Sequence, residues 1–336
     1  MRTRNFIKLN RFIDNLITQI IQNKKIALFV HEDPDFDALG SAFGLRDVIK
    51  RNFKDKEVHV INMQKAIDDD LTSDLYPATE ELCFDSQEFC KDAVCISVDT
   101  PCLTRVLGKE YFKLAKVSFR IDHHEYLETF TDYEYVDKDA SSACELVTFL
   151  IMKANLIMPS SSATYLYAGL LTDTNRFMFD CVNDNTYLAA IILYKAKADR
   201  QKVHRTLYTR TINQIKYENY LFNLAKFKDH VASLFIPRDS NKQFDIINPK
   251  GFVYVIANIK DYPVWVCGRW NENKQTYSCS VRSLKMPIFD IAKKYQGGGH
   301  MLASGCIVKD ENEFNELVQD LIEGYKEYSK KEENEN

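Results

Sequence analysis

Leu9, Ile13, Leu16 and Ile20 recur at helical spacing near the start of the chain, so the first 24 residues predict an amphipathic helix laid on the body of the protein. The pattern then becomes an unbroken apolar run, KIALFV at residues 25–30, which predicts a buried strand. That run stops abruptly at a carboxylate-rich loop over residues 31–37, and residues 38–51 return to helical spacing. Short β-rich runs follow at residues 57–61, 93–98 (AVCISV) and 116–121 (KVSFRI). Helices are predicted over 141–155 and 161–171, each preceded by Ser or Asp capping candidates. Strands alternating with helices describe an α/β domain built on a parallel sheet.

The pattern changes after about residue 180. Residues 185–227 carry scattered charge and little Gly or Pro, and read as a helical linker. Runs rich in Val, Ile, Tyr and Trp at 230–236, 252–259, 264–270 and 276–281 predict the strands of a second, smaller α/β domain. A helix over 287–295, a Gly-rich turn, a strand over 305–309 and a helix over 311–328 complete it. The expected organisation is a first domain over 1–184, the linker over 185–227, a second domain over 228–329 and a disordered tail over 330–336.

Composition narrows the function classes. A chain of 336 residues exceeds one ordinary core, and 45% hydrophobic with 27% charged residues describes a self-sufficient globular protein. The net charge of −4 lacks the basic excess of proteins that track long nucleic acid, so short or small phosphorylated substrates are favoured, with room for a local basic pocket. Nine cysteines with no C-x-x-C pair argue against a disulfide framework and a thiolate zinc site, and point to a reducing cytoplasm. No apolar run approaches the roughly 20 residues that cross a bilayer, so no membrane association is expected.

Candidate chemistry gathers at the ends of the predicted elements. His31, Asp35 and Asp37 follow the first strand at spacing H-x₃-D-x-D. Asp99 follows the strand over 93–98, the triplet Asp122-His123-His124 follows the strand over 116–121, and Asp173 lies just past the helix over 161–171. Ligand sites of open α/β sheets form where strands end. Each piece has an ordinary structural meaning by itself: Asp-Pro-Asp is a turn, and Asp at a strand end is a helix cap. Together they are more, because carboxylates gathered in one cleft repel one another and lose solvation unless cations neutralise them. Two imidazoles with several carboxylates suit Mn²⁺, Co²⁺, Fe²⁺ or Zn²⁺, whereas Mg²⁺ ordinarily takes oxygen ligands alone. Two such ions would activate a water and clamp phosphoryl oxygens.

In this order and spacing, HEDPDFDALGS, SVDT, IDHHE and LLTDTNRF resemble the four motifs of the DHH phosphoesterase superfamily, and GGGHMLASG at residues 297–305 is similar to the signature of its DHHA1 domain. A DHH core joined to DHHA1 with nothing added resembles the bifunctional oligoribonuclease and 3′-phosphoadenosine-5′-phosphate (pAp) phosphatase family. The resemblance implies that His31 and Asp35 bind one metal, that Asp37, His123 and Asp173 bind a second, and that Asp99 bridges them. It implies manganese first, with Co²⁺, Fe²⁺ or Mg²⁺ as alternatives. His124 would contact the scissile phosphate or assist the leaving oxygen, Asp122 would orient the imidazoles, and Arg105 would touch phosphate at the cleft mouth; on spacing alone Arg105 reads equally as a surface ion-pair residue.

In the second domain, Gly297, Gly298 and Gly299 free the backbone to present N–H groups to an anion, and His300, Arg282 and Ser283 would join them in a subsite for a terminal phosphate or nucleotide. One glycine after a helix would be no more than a C-cap. Two positions depart from the common pattern: Phe36 stands where many relatives carry Gly, and Asn175 where Gly is common after TDT. Asn tolerates the left-handed conformation, so that turn can survive.

The activity implied is hydrolysis of very short RNA to mononucleotides together with conversion of pAp to AMP. Alternatives are phosphodiester cleavage of pApA, pGpG or cyclic di-AMP, or nucleotide sensing without turnover. A long-polymer exonuclease of the RecJ kind needs additional nucleic-acid-binding domains. A family II pyrophosphatase needs no nucleotide-end reader. The resemblance also makes a homodimer an expectation.

Overall fold

A computed structural model describes residues 6–61, 75–76, 87–246, 252–272, 274–299 and 301–335. The chain divides into two compact units, Met1–Thr209 and Arg210–Asn336.

In the first unit, helix α1 (Phe6–Gln22) precedes strand β1 (Lys25–Phe29), helix α2 (Phe36–Asn52) and strand β2 (Glu57–Val60). Then come α3 (Gln87–Cys90), β3 (Val94–Val98), a 3₁₀ turn (Leu103–Arg105), α4 (Lys109–Phe112), β4 (Val117–Asp122) and β5 (Tyr133–Val136). Helices α5 (Ala143–Lys153), α6 (Ser160–Asp173), α7 (Asp184–Lys195) and α8 (Arg200–Tyr208) complete the unit. Five strands form one sheet in the order β2-β1-β3-β4-β5, every pair parallel. Ile26, Leu28 and Val30 face a core shared with α1, α2, α5 and α6, while Ala27 and Phe29 face a second one with Phe89, Val106 and Phe112. Burial on both faces explains the unbroken apolar run of β1. It leaves the strand ends as the place where polar side chains meet.

The second unit contains α9 (Ile212–Leu224), β6 (Lys226–Lys228), β7 (Val231–Phe235), β8 (Val264–Asn271), β9 (Thr276–Ser283), α10 (Phe289–Lys294), β10 (Gly298–Gly299), β11 (Ala303–Val308) and α11 (Glu311–Glu335). Its six strands run β10-β11-β9-β8-β7-β6, antiparallel except for β7 with β8.

Several sequence expectations change here. The strand expected over 252–259 is a 3₁₀ helix over Phe252–Ile256. Because β7 and β8 pair directly and in parallel, the chain between them is a crossover rather than a strand, and it buries Phe252 and Ile256 beside Tyr217. The helical linker is three helices: α7 and α8 bury Ala189, Leu193 and Val203 in the first unit's core, while α9 buries Tyr217 and Leu221 in the second. Asp199 and Thr211 cap the restarts by accepting from Lys202 N and Gln214 N. The backbone over residues 330–335 is helical rather than disordered, as the closing Lys and Glu residues extend α11 beyond Tyr325 and Tyr328, which pack on the second core. Strand β5, absent from the sequence reading, adds an edge to the first sheet. No helix of the described residues is long and apolar enough to cross a membrane.

Candidate metal centre

The C-terminal ends of β1, β3 and β4, the start of α2 and the end of α6 converge. His31 follows β1; its ring Nδ1 lies 2.7 Å from the Glu32 carbonyl oxygen, so N–H donation there turns Nε2 inward. Nε2 lies 3.5 Å from Asp99 Oδ2 and 3.9 Å from Asp35 Oδ1. Asp35 Oδ1 caps α2 by accepting from Asp37 N and Ala38 N, and the same carboxylate faces His31. The fully buried Asp37 accepts from Ala143 N at 2.7 Å and Cys144 N at 2.9 Å, which fixes it on the positive N-terminus of α5. Gly169 of α6 lets this happen: a Cβ there would meet Cys144 Sγ at 2.4 Å and Asp37 Cα at 2.8 Å.

Asp99, just past β3, adopts φ 53 and is buried at 2% exposure. Its Oδ1 lies 3.4 Å from His123 Nε2, and no hydrogen-bond donor reaches that buried oxygen. His123 Nε2 also lies 3.7 Å from Asp37 Oδ2 and 3.4 Å from Asp173 Oδ2. Among the described residues the donors form three overlapping sets, His31–Asp35–Asp99, Asp37–His123–Asp173 and Asp99–His123–His124, each tight enough to share one ion. Asp99 lies between both imidazoles.

The electrostatics carry the same message. Burial and the charge of Asp99 push the Asp37 carboxyl up to about 7, against the pull of His123. Burial and Asp37 push Asp173 well above the usual carboxylate range. Burial alone would lower His31, but Asp99 raises it to about 9, and His123 is raised by Asp99 and Asp173 in the same way. Burial alone would raise Asp99, but the two imidazoles facing it, His123 and His31, hold it below the usual carboxylate range. The cluster demands positive charge, and protons supply it when nothing else does. An orphaned carboxylate oxygen amid imidazoles and carboxylates fits divalent cations.

A second tier stands behind it. His124 Nδ1 donates to Asp122 Oδ1 at 2.8 Å, and Asp122 Oδ2 accepts from Arg120 Nη2 at 2.6 Å. Arg120, completely buried, also donates to Pro101 O and Glu128 O and lies 5.0 Å from the Phe130 ring centroid. Asp122 thus contacts His124 alone of the two imidazoles, whereas the Nδ1 of His123 faces the Ala140 carbonyl oxygen at 3.4 Å. Arg120 was not singled out by sequence, although an Arg two residues before Asp122, on the same strand face, is a readable pairing signal. His124 lines a depression of about 340 Å³ with Lys8, Tyr126 and Lys138. Arg105 is exposed on the 3₁₀ turn; its carbonyl accepts from Glu32 N, and its guanidinium makes no ion pair among the described residues.

Of the two unusual positions, Phe36, the first residue of α2, packs its ring 6.0 Å from that of Tyr76. Asn175 adopts φ 46, keeping the left-handed turn.

In the second unit, Arg282 and Ser283 end β9. Arg282 is half-buried, donates among the described residues to the carbonyls of Val281 and Ser304, and is shifted below the usual guanidinium range by burial. Gly297 closes the turn after α10 through its N–H to Ala292 O, and Gly298 and Gly299 pair with Gly305 and Ser304 of β11. Gly299 has φ 129. His300 lies outside the described residues.

Residues 25–170 match the DHH family, N-terminal domain, and residues 234–327 match the DHHA1 domain. An uncharacterized protein of Mycoplasma genitalium is 33% identical over 92% of this chain and 94% of its own length. The bifunctional oligoribonuclease and PAP phosphatase NrnA of the same organism is 31% identical over 92% of this chain and 96% of its own. Among solved structures, an exopolyphosphatase-related protein from Bacteroides fragilis superposes with a TM-score of 0.82 at 26% identity, covering 96% of this chain and 98% of that one.

Proposed function

The chain belongs to the DHH family of phosphoesterases, with a DHHA1 domain following the DHH domain, and from that premise we propose that it is a cytoplasmic, metal-dependent enzyme that hydrolyses very short RNA to mononucleotides and dephosphorylates pAp to AMP. The observation that carries this reading is Asp99: a buried carboxylate with one oxygen facing His31, the other facing His123, and no donor on Oδ1.

In this proposal His31 and Asp35 hold one divalent ion, manganese first, and Asp37, His123 and Asp173 hold the other, with Asp99 shared. Such ions supply Lewis-acid stabilisation of phosphoryl oxygens and a water of lowered pKa. The chain's own residues do the rest. Asp37, pinned to the amides of α5, holds its position without rearrangement. Asp122 keeps the proton of His124 on Nδ1, leaving Nε2 to meet the phosphate or leaving oxygen. Arg105, exposed on the 3₁₀ turn, is proposed to attract phosphate. Arg282, lacking an acidic partner among the described residues, is proposed with Ser283, Gly297, Gly298, Gly299 and His300 to hold a terminal phosphate.

The test is turnover by the purified protein, with and without Mn²⁺, on RNAs of graded length, pAp, pApA, pGpG, cyclic di-AMP and pyrophosphate. Mn²⁺-dependent release of mononucleotides that falls steeply with length, together with AMP from pAp, is the expected result. Activity confined to linear or cyclic dinucleotides overturns the substrate assignment. Tight nucleotide binding without product in any metal overturns the enzyme reading.

A further inference from the structure

Past Asp173 the backbone takes three consecutive left-handed residues, Asn175, Arg176 and Phe177, at φ 46, 61 and 65. Only Asn adopts that conformation readily; for Arg and Phe it costs roughly 1–2 kcal/mol each. The buried Thr174 holds the turn by accepting from Phe177 N on Oγ1, and the turn presents Arg176 at the surface, 5.7 Å from the centre of the Tyr208 ring. Tyr208 ends α8. That helix runs alongside α6: at its start Asp199 N donates to Thr164 Oγ1, and the carbonyl of Lys197 accepts from Ser160 Oγ. The Tyr208 end of α8 is therefore the end next to Asp173, and the helix leads away from the metal centre for about 13 Å at the usual rise per residue.

This stretch is basic in a chain that is acidic overall, with 44 Lys and Arg against 48 Asp and Glu. Between residues 185 and 209 the one acid is Asp199, whose carboxylate caps α8, while Lys195, Lys197, Arg200, Lys202 and Arg205 lie in the same stretch. None of these five, nor Arg176, forms an ion pair among the described residues. Two exposed rings stand among them. Arg200 lies 4.8 Å from the centre of Tyr194, which is 60% exposed, and Arg176 covers Tyr208, which is 43% exposed. Unpaired cations interleaved with exposed aromatic rings are the surface that holds single-stranded nucleic acid: phosphates meet the cations and bases stack on the rings.

We propose that α8, the end of α7 and Arg176 form a track for single-stranded RNA, which holds the nucleotides beyond the one being removed at the metal centre. The inference rests on the phosphoesterase reading above and adds to it where the substrate chain runs. It also distinguishes the two proposed substrates, since pAp has no chain to lay on the track.

The experiment compares the wild type with Arg200→Glu/Arg205→Glu and with Tyr194→Ala/Tyr208→Ala. Each is assayed with Mn²⁺ on pAp and on a five-nucleotide RNA, between about 50 and 200 mM salt. Anisotropy of the labelled RNA on metal-free protein measures binding apart from turnover. The expected result is a KM for the RNA raised about tenfold or more, pAp kinetics within about twofold, and a log–log salt slope reduced by about 0.7 per arginine lost. Unchanged RNA binding and slope overturn the track, as does an equal loss on both substrates, and a change of oligomeric state with unchanged RNA kinetics assigns the face to self-association instead. Weaker RNA binding by the variants in a protein that turns over neither substrate keeps the track and sinks the hydrolase reading.

Discussion

Replacing Arg120 by Met tests whether the tier behind the metal centre is held by charge. The guanidinium is fully buried and makes three hydrogen bonds, to Asp122 Oδ2 at 2.6 Å, Pro101 O at 2.9 Å and Glu128 O at 3.0 Å. Met is similar in length and apolar, so the change removes the donors with little loss of volume. It strands a carboxylate that is itself fully buried and leaves two carbonyls short of a donor. Breaking a buried pair by removing one partner costs about 3–5 kcal/mol. That is a large share of the roughly 5–15 kcal/mol that holds a domain together. Arg120→Lys keeps the charge but cannot reproduce the fork, and should cost about half as much. Both tryptophans, Trp265 and Trp270, lie in the second unit. Tryptophan fluorescence during denaturation therefore reports that unit as an internal control, while far-UV circular dichroism includes the first. Asp122→Asn in the Arg120→Met background should cost less than in the wild type, with a coupling of at least about 2 kcal/mol. Arg120→Met should also lower kcat in Mn²⁺, because Asp122, which holds the His124 proton, loses the guanidinium that fixes it. A loss below about 1 kcal/mol, or strict additivity of the pair, would refute the reasoning.

Asp99→Asn preserves shape and removes the shared charge; kcat should fall about 10²–10³-fold or more, and retention of near-normal turnover at saturating Mn²⁺ would show that the centre is misassigned. Gly169→Ala drives a methyl group against Cys144 Sγ and Asp37 Cα, and should cost about 1–3 kcal/mol while raising the Mn²⁺ concentration for half-maximal activity; unaltered Mn²⁺ dependence would argue that Asp37 is not a ligand. In the metal-free protein, Asp37 (about 7) and His31 (about 9) keep protons when folded that the unfolded chain has already lost, so their contribution to stability declines as pH rises from about 4 to 7 and from about 6.5 to 9 respectively. Asp99, shifted the other way, acts below that window. Mn²⁺ must displace those protons, so the thermal shift it produces should grow with pH across the window, and a shift independent of pH would contradict the assignment.

The parts of this protein legible in sequence are those set by local rules. The run at residues 25–30 reads as a doubly buried strand because each face of β1 meets its own core, and Asp35 reads as a cap because its acceptor lies within three residues of the amides it serves. The six proposed ligands were legible because each sits at or beside the end of a strand or helix, where ligand sites of open α/β sheets gather. What sequence could not show is partnership across long separation. The amides that hold Asp37 belong to Ala143 and Cys144, more than a hundred residues away, and nothing local to Asp37 announces them. Other misses were not of this kind: Arg120 pairs with Asp122 two residues away, and the breaks in the segment over 185–227 are locally capped restarts masked by continuing apolar spacing. These concealed contacts are what turn a cluster of acids into a site. Carboxylates that must hold protons when empty destabilise the fold, and only a framework that fixes them from behind, with helix amides at Asp37 and a buried guanidinium at Asp122, keeps that charge assembled and in register for cations to enter.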